Sequence, residues 1–451
     1  MTTVPTTSHV HRTAAIISQG DEIVLGQTLD TNSRWLSARL LDAGVLPIEH
    51  VSLPDDRDAI AAAFRRLGER VDLIICSGGL GPTADDLTRF ALLDVVGGTM
   101  VEDQPSLAAI RAYFESRGRV MNDLNRVQAM RPDGAAMIPN PHGTAPGLCA
   151  SLPGGSELFC LPGPPREMMP MFEQHVRPRL RLEPGRAVAT RSLHTIGLGE
   201  SEIAARLTIA GDMMARTRNP SVGTTASQSI VSVRMRYEGP NNAAAAALDA
   251  DEAAVRTLLG TAVFASGEQS LAGAILDRLR AAGQTLSVAE SCTGGLLGSL
   301  LTDVPGSSDA FIAGWLTYSN AAKRRDLGVP AALFSESGHT AAPGAVSAEV
   351  ATAMAEGARR VAGSTFALSI TGIAGPGGAV PGKPVGTVFI GLAGEGCTTK
   401  VRRFAMSGDR ATVRDWSARA ALAMLWFQLV GDATTTLLRE VQLDGTPFAI
   451  K

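Results

Sequence analysis

Aromatic side chains make up only 4% of this chain, with three tyrosines and four tryptophans. The interior must therefore be built from Ala, Gly, Val and Leu, which excludes an aromatic-rich β-sandwich and favours α/β layers. An excess of either charge is also missing. The 41 basic and 44 acidic residues are interspersed and sum to −3, so no polybasic surface is offered to DNA, RNA or anionic lipid. Neither nucleic acid nor a membrane is the expected partner. No run of about 18 apolar residues occurs, and the opening MTTVPTTSHVHR lacks the apolar core of a signal peptide; a cytoplasmic location is expected. Cysteine is sparse: five, an odd number. Cys76, Cys149, Cys160, Cys292 and Cys397 show no paired metal-ligand spacing, which leaves buried free thiols in a reducing compartment.

Hydrophobic residues at 45% and charged residues at 19% are typical of a packed globular protein. With about 150 residues per domain as a guide, 451 residues suggest several domains, and three are expected. Residues 1–11 read as a loose, disordered polar tail. Strand Thr13–Ser18, a helix from about Asn32 to Ala43 stopped by Gly44, and the pieces Val45–Ser52, Ala59–Leu67 and Val71–Ser77 alternate strand and helix, which implies a mostly parallel sheet covered on both faces. This first domain spans 12–178. Residues 179–267 change texture, with half-buried strands and an Ala-rich helical stretch, and read as a small α+β connecting domain. From 268 to 431 the α/β pattern returns: helix Leu271–Ala282, strand Thr285–Ala289, helix Gly295–Leu301, strand Ala310–Thr317, helix Ser347–Ala362, strand Thr365–Thr371, strand Val385–Leu392 and a last helix from about Asp409. Residues 432–451 read as a tail. The expected fold is α/β: two doubly wound three-layer α/β/α domains joined by a small α+β domain.

Open α/β sheets place ligands beyond the carboxyl ends of their strands, and Glu290-Ser291-Cys292-Thr293-Gly294-Gly295 sits at such an end, leading into a helix. The N–H groups of Thr293, Gly294 and Gly295 at a helix N-terminus suit an anion. Ser291 alone reads as an N-cap. A second strand end, Gly314 to Lys323, brings Tyr318 and Lys323 to the same crevice. A desolvated lysine of lowered pKa is able to take the serine proton, with Tyr318 relaying or orienting it. Cys292 is the competing nucleophile. It lacks a histidine in the motif, since the domain's His339 lies in a separate loop. A third strand end, the Gly372–Pro384 loop with Gly375, suits an oxyanion hole or phosphate cradle, or else a tight turn.

Taken in order, AESCTGG, TYSNAAK, GAVSAE, TGIAGPGG and KPVGTV resemble the C-terminal domain of the CinA family of competence/damage-inducible proteins. The resemblance implies a nicotinamide-nucleotide amidase that converts nicotinamide mononucleotide (NMN) to nicotinate mononucleotide and ammonia without a cofactor. Ser291, Lys323 and Tyr318 match the family's serine, lysine and tyrosine. Arg410 in SGDR matches its arginine, with Arg414 one turn later as a second candidate. The segment Phe334–Pro343 is longer than the family pattern.

In the first domain, Ser77-Gly78-Gly79-Leu80-Gly81-Pro82-Thr83-Ala84-Asp85-Asp86 is Gly-rich at a strand end and then acidic. Gly78, Gly79 and Gly81 expose N–H groups to phosphates, and Asp85 and Asp86 either hold a divalent cation or cap a helix. The segments around Gly20-Asp21-Glu22, Asn32, Thr144 and Leu161–Met168 add further strand-end loops. They resemble the molybdopterin-binding-like domain of CinA proteins, with GDELL replaced by GDEIV. That resemblance implies a metal-dependent ADP-ribose pyrophosphatase using Mg, Mn or Co, with Asn32 and Thr144 in the nucleotide site. It also implies action on small nucleotides in pyridine-nucleotide salvage, and a homodimer is the default expectation for such folds. Two alternatives stay open: an N-terminal domain that only binds a pterin or nucleotide, and a regulatory adaptor in competence or the DNA damage response.

Overall fold

The computed structural model describes residues 10–334 and 342–448; His339 and most of the tail 1–11 lie outside them. The chain divides into two compact units, one of residues up to Thr190 with Tyr237–Ala247, the other of Arg191–Arg236 with the residues from Leu248 onward.

The first unit holds strands β1 (Thr13–Gln19), β2 (Leu46–Leu53), β3 (Leu73–Ser77), β4 (Met100–Glu102), β5 (Met130–Pro132), β6 (Ala136–Ile138), β7 (Gly147–Ser151) and β8 (Glu157–Leu161). Its helices are α1 (Asp21–Val24), α2 (Thr31–Asp42), α3 (Arg57–Gly68), α4 (Thr88–Val96), α5 (Gln104–Glu115) and α6 (Pro165–Met171). The main sheet has the order β2-β1-β3-β8-β7-β6, parallel through β8 and antiparallel beyond it. Its strands are apolar on both faces because each face meets helices. Ala14, Ile16, Leu73 and Ile75 pack with Leu36 and Leu40 of α2, whereas Ala15, Ile17, Ile74 and Cys76 pack with Ile60, Phe64 and Leu67 of α3. That alternation produces the three layers. The predicted loose tail ends earlier than residue 11: His11 is buried, its N–H donates to the Arg181 carbonyl at 2.7 Å, and its ring lies 3.2 Å from Glu157.

A four-stranded sheet follows, ordered β10-β11-β9-β12, from β9 (Arg186–Ile196), β10 (Ser221–Ser227), β11 (Ile230–Pro240) and β12 (Val263–Ser266), with helices α7 (Glu200–Ile209) and α8 (Asn241–Leu259). Its second-unit part shares a hydrophobic core with the C-terminal domain. Ile196, Phe264 and Ala265 pack in one cluster with Trp426 and Phe427, and the Trp426 indole donates to the Thr261 carbonyl at 2.8 Å. The sheet thus leans on the C-terminal domain through these residues.

The C-terminal domain contains helices α9 (Leu271–Ala281), α10 (Leu296–Thr302), α11 (Asn320–Leu327), α12 (Ala348–Ala362) and α13 (Arg410–Leu429). Its strands are β13 (Leu286–Glu290), β14 (Phe311–Leu316), β15 (Phe366–Gly372), β16 (Thr387–Gly394), β17 (Lys400–Ala405) and β18 (Glu440–Val441), in the order β14-β13-β15-β16-β17-β18. β14, β13 and β15 are parallel; β16 to β18 return antiparallel, since β15 and β16 are joined by a loop without a crossover helix. Part of the expected tail belongs to the fold, because β18 pairs with β17. Among the described residues no helix is long and apolar enough to cross a membrane.

Candidate active site at the ends of β13, β14 and β15

β13 is buried along its whole length and stops at Glu290. The Ser291 N–H still reaches the Ile370 carbonyl of β15 at 3.0 Å, so the serine is fixed to the sheet before the chain turns. The turn needs positive φ at Gly294 (64°) and Gly295 (91°), conformations that side chains beyond glycine resist.

β14 delivers the second component. The Thr317 N–H donates to the Glu290 carbonyl at 2.8 Å, and Ser319 then caps α11 by accepting the Ala322 N–H. This short turn throws Lys323, on the first turn of α11, back across the strand ends. Lys323 is 1% exposed and Ser291 8%. Lys323 Nζ lies 3.0 Å from Ser291 Oγ, 2.7 Å from the Thr317 carbonyl and 3.5 Å from the Tyr318 carbonyl. Among the described residues no carboxylate lies within ion-pair distance of Nζ. Burial without a counter-ion lowers the Lys323 pKa to about 8. Nζ donates to all three oxygens; once it loses its proton, its N–H groups still serve the carbonyls and its lone pair is turned to the serine O–H.

Two sequence expectations meet different geometry. The N-terminus of α10 already has an anion, the buried carboxylate of Glu290, which accepts the N–H groups of Gly295 at 3.1 Å, Leu297 at 3.0 Å and Gly298 at 2.8 Å. Gly295 is thus committed to the fold rather than to a ligand, and α10 is too short for a separate anion site. Thr293 is wholly buried, and its carbonyl accepts two bonds from Arg414, at 3.1 and 2.8 Å; the Arg414 Nη2 also lies where it would crowd a Cβ on Gly294, at 3.3 Å. Tyr318 differs too. Its side chain is 62% exposed, and its hydroxyl accepts from Arg410 at 3.1 Å instead of reaching Ser291.

The third wall is a structural turn at one end and open at the other. Gly372 is paired in the sheet opposite Val388, where a Cβ would fall 2.7 Å from that side chain, so it is a packing glycine. Gly375 accepts from Arg410 Nη1 at 2.8 Å. Arg410 and Arg414 are one turn apart at the start of α13, and among the described residues neither has a carboxylate within ion-pair distance. Burial pushes the Cys292 thiol up to about 12, which removes the thiolate that nucleophilic attack would need.

The glycine loop of the first domain is built differently. Gly78 and Gly79 hug Gln19: added Cβ atoms would fall 2.5 Å from its carbonyl oxygen and 2.2 Å from its side-chain nitrogen. Asp86 turns inward, accepting the Gly81 N–H at 2.7 Å, the Thr83 N–H at 2.8 Å and the Thr83 hydroxyl. Both carboxylate oxygens therefore close the loop instead of facing a cation. Asp85 is exposed. Among the described residues no group of three His, Cys, Asp or Glu side chains is placed to hold a metal. Asn32 donates to Ser77 Oγ at 2.8 Å and the Gly163 carbonyl at 2.7 Å, which fastens two strand ends together. Thr144 accepts from Gln128 at 3.3 Å and lines, with Gly78, Gly79, Gly81, Asp85 and Asp86, a cavity of ≈ 380 Å³.

Arg89, Glu290 and Glu167 are functional candidates that sequence reasoning missed. Arg89 is fully buried, donates to the Leu80 and Gly81 carbonyls at 2.6 and 3.1 Å, and is lowered to about 10 by that burial. Glu167 is buried beside the cavity and accepts from Asn140 at 2.8 Å. A charged residue at a strand end that runs into a helix is a usable signal for Glu290; nothing in sequence spacing reveals Arg89.

Comparison with known proteins agrees along the chain. Residues 15–182 match a probable molybdopterin binding domain, 190–265 the KH domain of damage-inducible protein CinA, and 268–429 the CinA C-terminal domain. A CinA-like protein of Anaeromyxobacter sp. is 42% identical over 91% of this chain and 97% of its own length. The chain belongs to the CinA family. A CinA-like protein of Geobacter metallireducens is 41% identical over 92% of the chain and 98% of its own length. Among solved structures, a competence/damage-inducible protein from Agrobacterium tumefaciens matches 36% of this CinA-family chain and 93% of its own, at 37% identity and a TM-score of 0.33.

Proposed function

We propose that the C-terminal domain hydrolyses the carboxamide of nicotinamide mononucleotide to nicotinate mononucleotide and ammonia. The observation that carries this reading is the buried Ser291–Lys323 pair at 3.0 Å, with the lysine lowered to about 8. In the first half-reaction Ser291 Oγ bonds to the carboxamide carbon while its proton passes to Lys323 Nζ. The tetrahedral adduct collapses as Nζ returns that proton to the amide nitrogen, the C–N bond breaks and ammonia leaves. Water then attacks the acyl ester, giving its proton to Nζ, and Ser291 leaves protonated with release of the acid. Arg410, which has no carboxylate partner, is the group for the substrate phosphate, and Arg414 fixes the turn that carries Ser291. The test is ammonia release from NMN by the purified full-length protein; none from wild type, or undiminished release by Ser291→Ala, refutes the assignment.

For the N-terminal domain we propose a metal-dependent ADP-ribose pyrophosphatase. The open glycine loop supports phosphate binding. Of the carboxylates lining its cavity, Glu22 stands outside the loop, and Asp85 is held below the usual carboxylate range by its hydrogen bond to the Thr83 side chain, so it is charged at neutral pH. Glu22 and Asp85 would hold a divalent ion that keeps most of its water, not one in an all-protein cage. Such an ion would neutralise phosphate charge; the chain's own part is to hold the phosphates on the Gly79 and Leu80 amides, since the Gly78 N–H donates to the Leu161 carbonyl at 2.9 Å and the Gly81 N–H to Asp86 at 2.7 Å. A second reading, binding of a pterin or nucleotide without catalysis, is favoured by the inward turn of Asp86. Release of AMP from ADP-ribose that stops with a chelator separates the two. A cytoplasmic homodimer completes the proposal.

A further inference from the structure

Residues beyond Leu429 lie past the stretch that matches the CinA C-terminal domain, yet their described part is fastened to the candidate amidase. Two neighbouring arginines of β17 make the attachment, and because side chains alternate along a strand they serve opposite faces. Arg402 donates to the carbonyls of Ala433 at 2.7 Å and Thr435 at 2.6 Å, and pairs with Glu440 at 2.7 Å. Arg403 is 8% exposed and joins two distant segments: Nη1 donates to the Leu443 carbonyl at 3.0 Å, Nη2 to the Gly382 carbonyl at 2.7 Å. A guanidinium taken out of water is costly unless its donors are used. Here they tie the C-terminal tail to the tip of the Gly372–Pro384 loop.

Both carbonyls are presented by tight turns. In the tail, the Gln442 N–H donates to the Thr446 carbonyl and the Gly445 N–H to the Gln442 carbonyl, each at 2.8 Å. A Cβ on Gly445, whose φ is 96°, would fall 2.8 Å from Arg403 Cζ. In the loop, Val380 and Lys383 exchange backbone bonds at 3.1 and 2.9 Å around Gly382, and Lys383 Nζ donates to the Pro343 carbonyl at 2.7 Å. The loop is closed at its base by the Gly386 N–H on the Ile373 carbonyl at 2.7 Å, and Val385 packs against Gly375, where a Cβ would fall 2.7 Å from its side chain. The Gly375 carbonyl in turn accepts from Arg410 Nη1 at 2.8 Å. Contacts therefore run without a break from Leu443 through Arg403 and the loop to the arginine assigned to the substrate phosphate.

On the amidase reading of this site, we propose that Arg403 is a positioning residue for substrate binding: it uses the C-terminal tail to set the Gly372–Pro384 loop and, through the Gly375 carbonyl, the Arg410 guanidinium. Arg403→Met and removal of residues 442–451 cut the bridge at its middle and at its end, and the shortened chain keeps β18 and the Arg402–Glu440 pair. Each change should raise KM for NMN about fivefold or more with kcat within about twofold of wild type, since neither touches Ser291 or Lys323. Combined, they should do no more than either alone, because both remove the same bridge. A mere loss of folded protein lowers kcat and leaves KM in place, and that result overturns the proposal; so do an unchanged KM in both variants and effects that multiply in the combination. Hydrogen exchange supplies a readout free of activity: the Val380 and Lys383 amides should exchange about tenfold faster or more in both variants, while the Ser291 amide keeps its protection. Wild-type protein that releases no ammonia from NMN removes the amidase reading alone, and exchange then decides the bridge, which falls if Val380 and Lys383 are not quickened.

Discussion

The two loops that the chain offers for chemistry, Glu290 to Gly295 in one unit and Gly78 to Asp86 in the other, both leave a strand end, turn through glycine and contain an acid, yet the acid does opposite things. Glu290 precedes its turn, lies buried and anchors the start of the next helix, which leaves Ser291 and Lys323 to face each other without a charge between them. Asp86 follows its turn and bonds back to it, so the loop's remaining amides are held open around a polar cavity. One arrangement removes water from a cation; the other stiffens a loop with its own carboxylate. Similar sequence texture therefore does not mean similar chemistry.

The comparison breaks first at the pair itself. Ser291→Ala and Lys323→Met should each lower ammonia release from NMN by about a thousandfold or more while the protein stays folded. Wild-type kcat/KM should rise with pH and level off above about 8, as Lys323 loses its proton. The stability sign follows from the same burial. Between about 8 and the ordinary 10.5, the unfolded chain holds a proton on this lysine that the folded chain does not. Stability should therefore rise with pH across that window, and Lys323→Met should remove the rise. A flat kinetic profile would deny the neutral lysine.

Arg410→Ala removes a charge-assisted partner of about 1.5–3 kcal/mol, so KM for NMN should rise about 10- to 100-fold with kcat nearly unchanged. A fall in kcat alone would place Arg410 at the reacting carbon instead. Glu290→Gln presents N–H groups to N–H groups at the start of α10; kcat should drop about tenfold, with a stability loss of about 1–3 kcal/mol in denaturant titration. Activity equal to wild type would show that the anchor does not position Ser291. Asp86→Asn should reduce AMP release from ADP-ribose about fivefold, and added divalent metal should not restore it; restoration would make Asp86 a cation ligand after all. Smallest is Cys292→Ser, expected to change amidase activity less than twofold, because a thiol pushed up to about 12 is not ionised at neutral pH.

Much of the architecture was legible in the chain. The alternation of apolar runs with amphipathic helices is a local property, so the strand of Ile16 and Ile17, and the helix of Leu36 and Leu40, were readable without neighbours. The mixed character of the C-terminal sheet was not: β16 reads as a strand in either direction, and only the missing crossover between Gly372 and Thr387 makes it antiparallel. The shared core around Phe264 and Trp426 was hidden because the two residues lie far apart in the chain. Residue types at the site were legible as Ser291, Lys323 and Arg410. Their bonding was not. Arg414 looked like a spare arginine and holds the Thr293 carbonyl; Tyr318 looked like a proton relay and stands exposed beside Arg410.

By itself, then, the sequence determined the α/β class, the family motifs and which side chains stand at strand ends, because backbone periodicity and turn chemistry act over a few residues. Tertiary structure alone decided that Lys323 loses its water, that Glu290 claims the helix start and that Asp86 folds into its own loop. Desolvation and hydrogen-bond pairing depend on what surrounds a group in space, and those surroundings come from segments distant in the chain.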